Sequence, residues 1–526
     1  MRWKLILIFS GLCTVLFFLS HSSSRNRAAA ACSANNHLCS DPSPSLTPTY
    51  PAYPAHGPSN TDNATAARAL HHPDPGHHRL GSIALDPKSL NVFDKNPSIL
   101  LPIRSGKTIA KLDNGRPLSS DGSGWQWKGT LAGYPYSSVV LTHWKGATQG
   151  SIHGADGGIY EIRQAASGQL EIIWVDTSTL PPCQTDADHV VSTEEDTEAS
   201  NHPQTAHDGV TTSFFDIVVA YNEAARQWAG GNISDPGDVA DVEARILTAV
   251  GELNTAFSNS NVDAEMRLAW MGLIDYPYPE TENFNRALSE IQDPNDGNAD
   301  LLAEKKSEYA ADYASLWITS DSSGGLGYVL ENASQKDFAF NVVRVENPTS
   351  TFAHECGHNF GNLHIRSSYR ILRDSWDPYS YAHRFNGTSS GTPQYGTVLC
   401  SLGDLTSSSN RILYFSNPNV TIDGTAAGVA NSEDVSRTLR ENRAVFEDFY
   451  HTPARTARIS NNGTNAFTIL QGFGFVGESY SLFRTTDLSS APATWTSLGT
   501  FHSDSNGTAS ADDTPTGLDS AFYQFR

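Results

Sequence analysis

The chain has 526 residues, room for two to four domains and a full-sized hydrophobic core. It carries 35 Lys+Arg against 57 Asp+Glu, a formal net charge of −22, which argues against nucleic acid or an anionic membrane as the main partner, since both need a basic face. Only 17% of residues are charged, and 41 Gly and 27 Pro sit among many Ser, Thr and Asn, as in exported, loop-rich and β-rich proteins.

The start, MRWKLILIFSGLCTVLFFLS, has a short basic end and an apolar run from Leu5 to Leu19 broken by Ser10, Gly11 and Thr14. That run suits the core of a signal peptide over residues 1–24 better than a spanning helix, with an uncleaved surface anchor as the alternative. Residues 25–81 are rich in Pro, Ser, Ala, Asn and His without an apolar period and read as a disordered linker. Its histidines His71, His72, His77 and His78 suggest divalent-metal scavenging, but nothing there pre-organises a site, and a solvated linker is the preferred reading.

Short alternating runs follow over 82–183, among them WQWKGTL, SSVVLTHW, GIYEIRQ and QLEIIWV, separated by turn residues. Period-two alternation with these breakers predicts an antiparallel β domain. Residues 184–210 hold seven acids and neither Lys nor Arg, an exposed and cleavable linker. Over 211–450 strand and helix signals alternate. SFFDIVVAY, MRLAWMGLI, SLWITS, GGLGYVL and DFAFNVVRV read as strands. DVEARILTAVGELNTAF reads as a helix with Val242, Ile246, Ala249, Val250 and Leu253 on one face, and DLLAEKKSEYAADY as a second helix. The fold class is therefore mixed α/β (α+β) in this region. The loop DPNDGNAD suggests calcium, but Gly297 is out of register for an EF-hand and no calcium ligands are assigned. The tail, 455–526, returns to β texture and reads as a small β-sandwich accessory module.

The chemistry sits in TFAHECGHNFGNLH, which contains His354, Glu355, His358, Gly361 and His364 in the pattern H-E-x-x-H-x-x-G-x-x-H. On a helix, positions i and i+4 lie one above the other, so His354 and His358 present two imidazoles to one metal. Glu355 stands beside them within reach of a water on that metal. Gly361 is free to take φ > 0, ending the helix and turning the chain so that His364 returns as a third nitrogen ligand. Three protein ligands leave a fourth zinc position for water, the arrangement of a catalytic site holding one Zn2+. Glu355 is then the general base that takes the proton of the attacking water.

These residues resemble the active-site helix of the metzincin zinc endopeptidases, in particular the reprolysin-like (adamalysin-like) branch and its bacterial secreted members. The resemblance covers roughly residues 211–450. It implies that Gly325, Leu326, Gly327 and Tyr328 belong to the edge strand along which an extended substrate pairs antiparallel, and that 379–401 shapes the pocket beside the zinc. It also implies that 82–183 is a prodomain. Two positions depart from the family pattern: Leu399 in GTVLCS stands where the turn beneath the zinc carries Met, and Ile365 follows the third His where many such enzymes carry Asp. Ser401, where astacin-like enzymes carry Tyr, disfavours that branch.

Three cysteines bear on the site. Cys356 on the helix and Cys400 at the turn leave open a disulfide tying helix to turn, or two buried thiols. Cys183, in LPPCQTD, closes the β domain where a latency device is expected; its thiolate would fill the fourth zinc position, as in several metzincin prodomains, or it is an incidental thiol or a partner of Cys32 or Cys39. The resulting expectation is a secreted or surface-held monomeric zinc metalloendopeptidase, made as a zymogen and acting on proteins or peptides. The alternative is a non-catalytic adhesion protein with a relict zinc site, which the intact Glu355 disfavours.

Overall fold

The computed structural model describes two short strands in the leader and then residues 76–525 with internal breaks, the longest being 91–95, 186–211, 369–374, 402–409 except 405, 451–456, 462–466, 487–493 and 514–521. In the leader, β1 (Leu5–Leu7) and β2 (Val15–Phe17) pair antiparallel; the rest of the expected signal peptide, His71, His72 and the acidic linker beyond Thr185 lie outside the described residues.

The first sheet has eight strands. These are β3 (His77–Ile83), β4 (Ser98–Ile103), β5 (Gly106–Pro117), β6 (Trp125–Leu131), β7 (Tyr134–Trp144), β8 (Ala147–His153), β9 (Ile159–Gln164) and β10 (Leu170–Val175). Their order is β3-β10-β9-β8-β7-β6-β5-β4, antiparallel throughout. The boundary expected at 82 moves: β3 already begins at His77, because this segment completes the ladder beside β10. His77 and His78 are thus strand residues and not linker. His78 stacks on Trp174 and His77 is buried near Trp228, so neither is placed to scavenge metal.

The central domain follows the expected alternation. Strand β11 (Ser213–Tyr221) leads to α1 (Glu223–Ala229) and α2 (Ala240–Asn259), then β12 (Ala264–Leu273), α3 (Phe284–Gln292), α4 (Asp300–Glu308), β13 (Tyr313–Ile318), β14 (Gly325–Gly327) and β15 (Phe340–Arg344). The sheet order is β12-β11-β13-β15-β14, parallel except for the antiparallel edge strand β14. Helices cover both faces, as a parallel sheet requires. One apolar core, with α2, contains Phe215, Phe257, Phe352 and Phe360; the other, with α3 and α4, contains Ala220, Phe284, Leu302 and Val342.

Beyond β15 come α5 (Ser350–Asn359), β16 (Leu363–Ile365), β17 (Tyr381–Ala382), β18 (Arg384–Asn386), β19 (Gln394–Gly396), β20 (Asn410–Arg411), β21 (Asn417–Ile422), β22 (Thr425–Ala427) and α6 (Val435–Phe446). The tail holds β23 (Ala457–Asn461), β24 (Phe467–Gln471), β25 (Ser479–Thr485), β26 (Thr496–His502), β27 (Ala509–Asp513) and β28 (Phe522–Phe525). They form two three-stranded sheets, and Phe475 beside them lies 3.7 Å under the Arg267 guanidinium of the central domain.

Helix α2 departs from the amphipathic reading. Its apolar face is buried as expected, yet Asp241, Glu243, Arg245 and Glu252 are buried too. The first sheet covers that side. Trp144 Nε1 donates to Glu243 at 2.7 Å, Gln126 Nε2 to the Leu247 carbonyl at 2.9 Å, and Arg245 Nη2 to Glu161 at 2.6 Å, while His153 Nε2 lies 2.9 Å from Glu252. A polar helix face normally meets water; here its charges are matched by a second domain.

Candidate active site

Helix α5 is buried along its whole length, packed under β14 and β15. Asn359 fastens its end: its Nδ2 donates to the carbonyls of Tyr328 and Phe340, and its Oδ1 accepts from Asn341 Nδ2 at 2.8 Å. Gly361, at φ 74°, reverses the chain, and a Cβ there would collide with the Leu330 carbonyl, so the turn requires glycine. The reversal places His364 in β16 against the two helix histidines.

The three imidazoles converge. Nε2 of His354 lies 3.0 Å from Nε2 of His364 and 3.2 Å from that of His358, and the His358–His364 separation is also 3.2 Å. Nδ1 of His354 faces the Val398 carbonyl at 2.9 Å and Nδ1 of His358 the Asn362 carbonyl at 2.7 Å. A carbonyl only accepts, so Nδ1 of His358 carries the proton and its Nε2 presents a lone pair, while Nδ1 of His354 also meets Arg411 Nη2 at 2.6 Å. Lone pairs facing one another at this distance repel unless a cation lies among them. Three nitrogens about 2 Å from a tetrahedral zinc stand about 3.3 Å apart, so the residues fit a zinc ion.

Cys183 completes the group: its thiol and the three imidazoles all lie within 4.8 Å of one another. Its Sγ is 3.5 Å from Glu355 Oε2 and 3.7 Å from His358 Nε2. The residues around it lie along β14. Gln184 N donates to the Gly325 carbonyl at 2.9 Å, Gly324 N to the Pro182 carbonyl at 2.9 Å, and Gly327 N to Thr185 Oγ1 at 3.1 Å, with Cys183 and Gly325 bridged in parallel. Tyr328, expected in the edge strand, falls just past β14 but keeps the direction of the ladder through its N–H to the Phe340 carbonyl.

Glu355 is fully buried, and its Oε1 has no hydrogen-bond partner. A Cβ at Gly325 would run into that oxygen, which makes Gly325 necessary for the close approach of strand and acid. Burial pushes the Glu355 carboxyl up to about 8; burial, then the Glu355 charge, pushes the Cys183 thiol well up. A divalent cation at the imidazoles reverses both tendencies.

Beneath the helix, the turn at Val398–Cys400 carries Leu399, 1% exposed, against Gly357, where a Cβ would meet Leu399 Cδ2 at 2.5 Å. Leu399 thus packs against the underside of the helix at the turn where the family pattern carries methionine. The Cys356–Cys400 disulfide does not form, and both residues carry thiols. Cys356 points at Asn341 of β15 and not toward the turn, whereas Cys400 Sγ donates to the His383 carbonyl at 3.2 Å. Two functional candidates escaped the sequence: Thr185, which bonds both polar atoms of Gly327, and Arg411, whose Nη2 donates to the Val398 carbonyl at 2.6 Å. Neither belongs to a local pattern that marks it.

Residues 211–410 match the family model Reprolysin_5, described as Metallo-peptidase family M12. Residues 211–410 are thus a zinc metallopeptidase domain of the metzincin type. A peptidyl-Asp metalloendopeptidase of Stenotrophomonas maltophilia is 27% identical over 321 residues, 60% of this chain and 71% of that one. One of the same name from Xanthomonas campestris pv. campestris is 26% identical over 323 residues, 61% and 72% of the two chains. The metal of this type of peptidase is zinc, and the relatives make this metallopeptidase an endopeptidase, with proteins or peptides as substrates. No helix among the described residues is long and apolar enough to cross a membrane.

Proposed function

We propose that the chain is a secreted zymogen of a zinc endopeptidase, with His354, His358 and His364 as the metal ligands, Glu355 as general base and Cys183 as the latency device. The observation that carries this is the convergence of three imidazole nitrogens and one thiol on a single point beside an unpartnered, buried carboxylate oxygen. When bound there, zinc supplies Lewis acidity to a water and to the scissile carbonyl. The extended substrate pairs antiparallel with the free edge of β14. Glu355 accepts the proton of the water whose oxygen forms the new bond to the carbonyl carbon, and it delivers that proton to the nitrogen of the breaking peptide bond. Burial of Glu355 keeps bulk water from competing for that proton.

In the uncut chain, Pro182–Thr185 fills the edge of β14 and the Cys183 thiol stands where the water must enter. Its parallel direction is the reverse of a substrate's, which supports inhibition rather than self-cleavage at this segment. Opening requires a cut after Thr185 and departure of the first sheet, which acts as a prodomain. The names of the relatives extend the reading to bonds next to aspartate. The test is zinc content together with casein cleavage: one zinc per chain and activity abolished by a chelator and restored by zinc support it. A chain binding one zinc yet inert on casein after removal of residues 1–185 contradicts it.

A further inference from the structure

Arg411 is a buried cation at the edge of this site that has no carboxylate partner among the described residues. It enters the interior from β20, opposite Gly396 of β19, and is 4% exposed. Its Nη2 lies 2.6 Å from the Val398 carbonyl and 2.6 Å from His354 Nδ1, while its Nε is buried without a hydrogen-bond partner. Both contacts are made through Nη2, so Nε and Nη1 have no acceptor among the described residues. A guanidinium with five N–H donors therefore has described contacts at Nη2 alone, and neither of them is a carboxylate. Glu355 and Cys183 are near enough for their charges to act on it through space, but no described carboxylate pairs with it.

A buried, unpaired guanidinium is costly, because burial strips its hydration without returning a counter-charge. Arginine's planar fork is suited to receiving a carboxylate in two parallel hydrogen bonds. Through Nη2 it touches the Val398 carbonyl of the turn and the imidazole of His354, which sets it directly beside the expected metal ligands. We propose that Arg411 is the specificity residue of the enzyme, taking the carboxylate of an acidic substrate side chain that flanks the scissile bond on the side of that turn. This rests on the zinc-peptidase reading and on its extension to aspartyl bonds. A purely positioning role, holding the Val398 carbonyl against His354, occupies Nη2 and leaves the buried Nε unexplained.

The test uses the zinc-loaded chain, activated by cleavage after Thr185, and peptide sets that differ only in Asp, Asn or Lys at either residue flanking the cut. The wild type is expected to favour Asp over Asn by about 100-fold in kcat/KM. In Arg411→Gln that ratio collapses toward one, in Arg411→Lys it is partly kept, and in Arg411→Glu the preference moves to Lys. Zinc content and thermal midpoint are measured on each variant, so a misfolded Arg411→Gln is read from the Lys and Glu variants instead. A ratio unchanged in the folded variants while all peptides slow together overturns the proposal and leaves Arg411 a positioning residue. A wild type that cleaves Asn and Asp peptides alike overturns it through the substrate class, and one that cleaves nothing while holding zinc refutes the peptidase reading itself.

Discussion

Cys183 Sγ lies 3.7 Å from His358 Nε2, although 175 positions separate the two residues. A thiol delivered to the open side of three imidazoles displaces water from the position the reaction needs. Replacing Cys183 with Ala should therefore make the uncut chain cleave casein at least about 10-fold faster than the unmutated precursor, with equal zinc content. If the Ala variant stays as silent as the parent, coverage of β14 by Pro182–Thr185 alone accounts for latency.

Glu355 has one oxygen toward Cys183 and one without a partner. Glu355→Gln keeps the shape and removes the base, so kcat of the activated enzyme should fall by about 10³-fold while zinc stays bound. Isothermal titration with zinc beside casein turnover checks both halves. A Gln variant with near-parental turnover would remove Glu355 from the chemistry.

The joint between the first sheet and α2 should loosen in acid. Burial, then the Arg163 charge, pushes His77 from 6.5 down to about 3, with Arg245 and Arg344 acting the same way and Glu161 opposing them. Burial alone would raise Glu161, but Arg163, Arg245 and His77 outweigh it and hold the carboxyl at about 2 instead of 4.5. The unfolded chain thus binds the extra proton first in both cases. Stability falls as pH drops from 6.5 toward 3 for His77 and from 4.5 toward 2 for Glu161, and is full above 6.5. For His77 this is on the order of 3 kcal/mol between pH 7 and pH 4. After a cut in the 186–211 segment, gel filtration should show the first domain retained at pH 7.5 and released near pH 4. His77→Asn should shift that release to lower pH; an unshifted release curve would place the acid trigger elsewhere.

Leu399 fills the floor under α5 by contact with Gly357. Leu399→Ala should cost about 3 kcal/mol in unfolding free energy, while Leu399→Met, which nearly conserves volume, should cost under about 1.5 kcal/mol. Urea titration distinguishes them. Equal losses would mean that the floor tolerates no other side chain, contrary to a plain packing role.

What sequence alone determined here is what short-range periodicity encodes. The i, i+4 spacing of His354 and His358, the glycine at 361 and the alternation through SFFDIVVAY or SLWITS are local, because a helix or strand repeats its side-chain direction every few residues. Those elements appear where expected, with β14 shortened to Gly325–Gly327. The fate of each cysteine was not local. Cys356 turns to Asn341 rather than to Cys400, and Cys183 comes to the imidazoles, because sheet order and domain docking bring together segments far apart in the chain. The same holds for α2, whose charged face reads as solvent-facing until a second sheet supplies the partners, and for Arg411. An isolated arginine in the chain carries no sign that folding will bury it against His354 with no carboxylate partner among the described residues. Only the assembled interior decides which charges are matched and which are not.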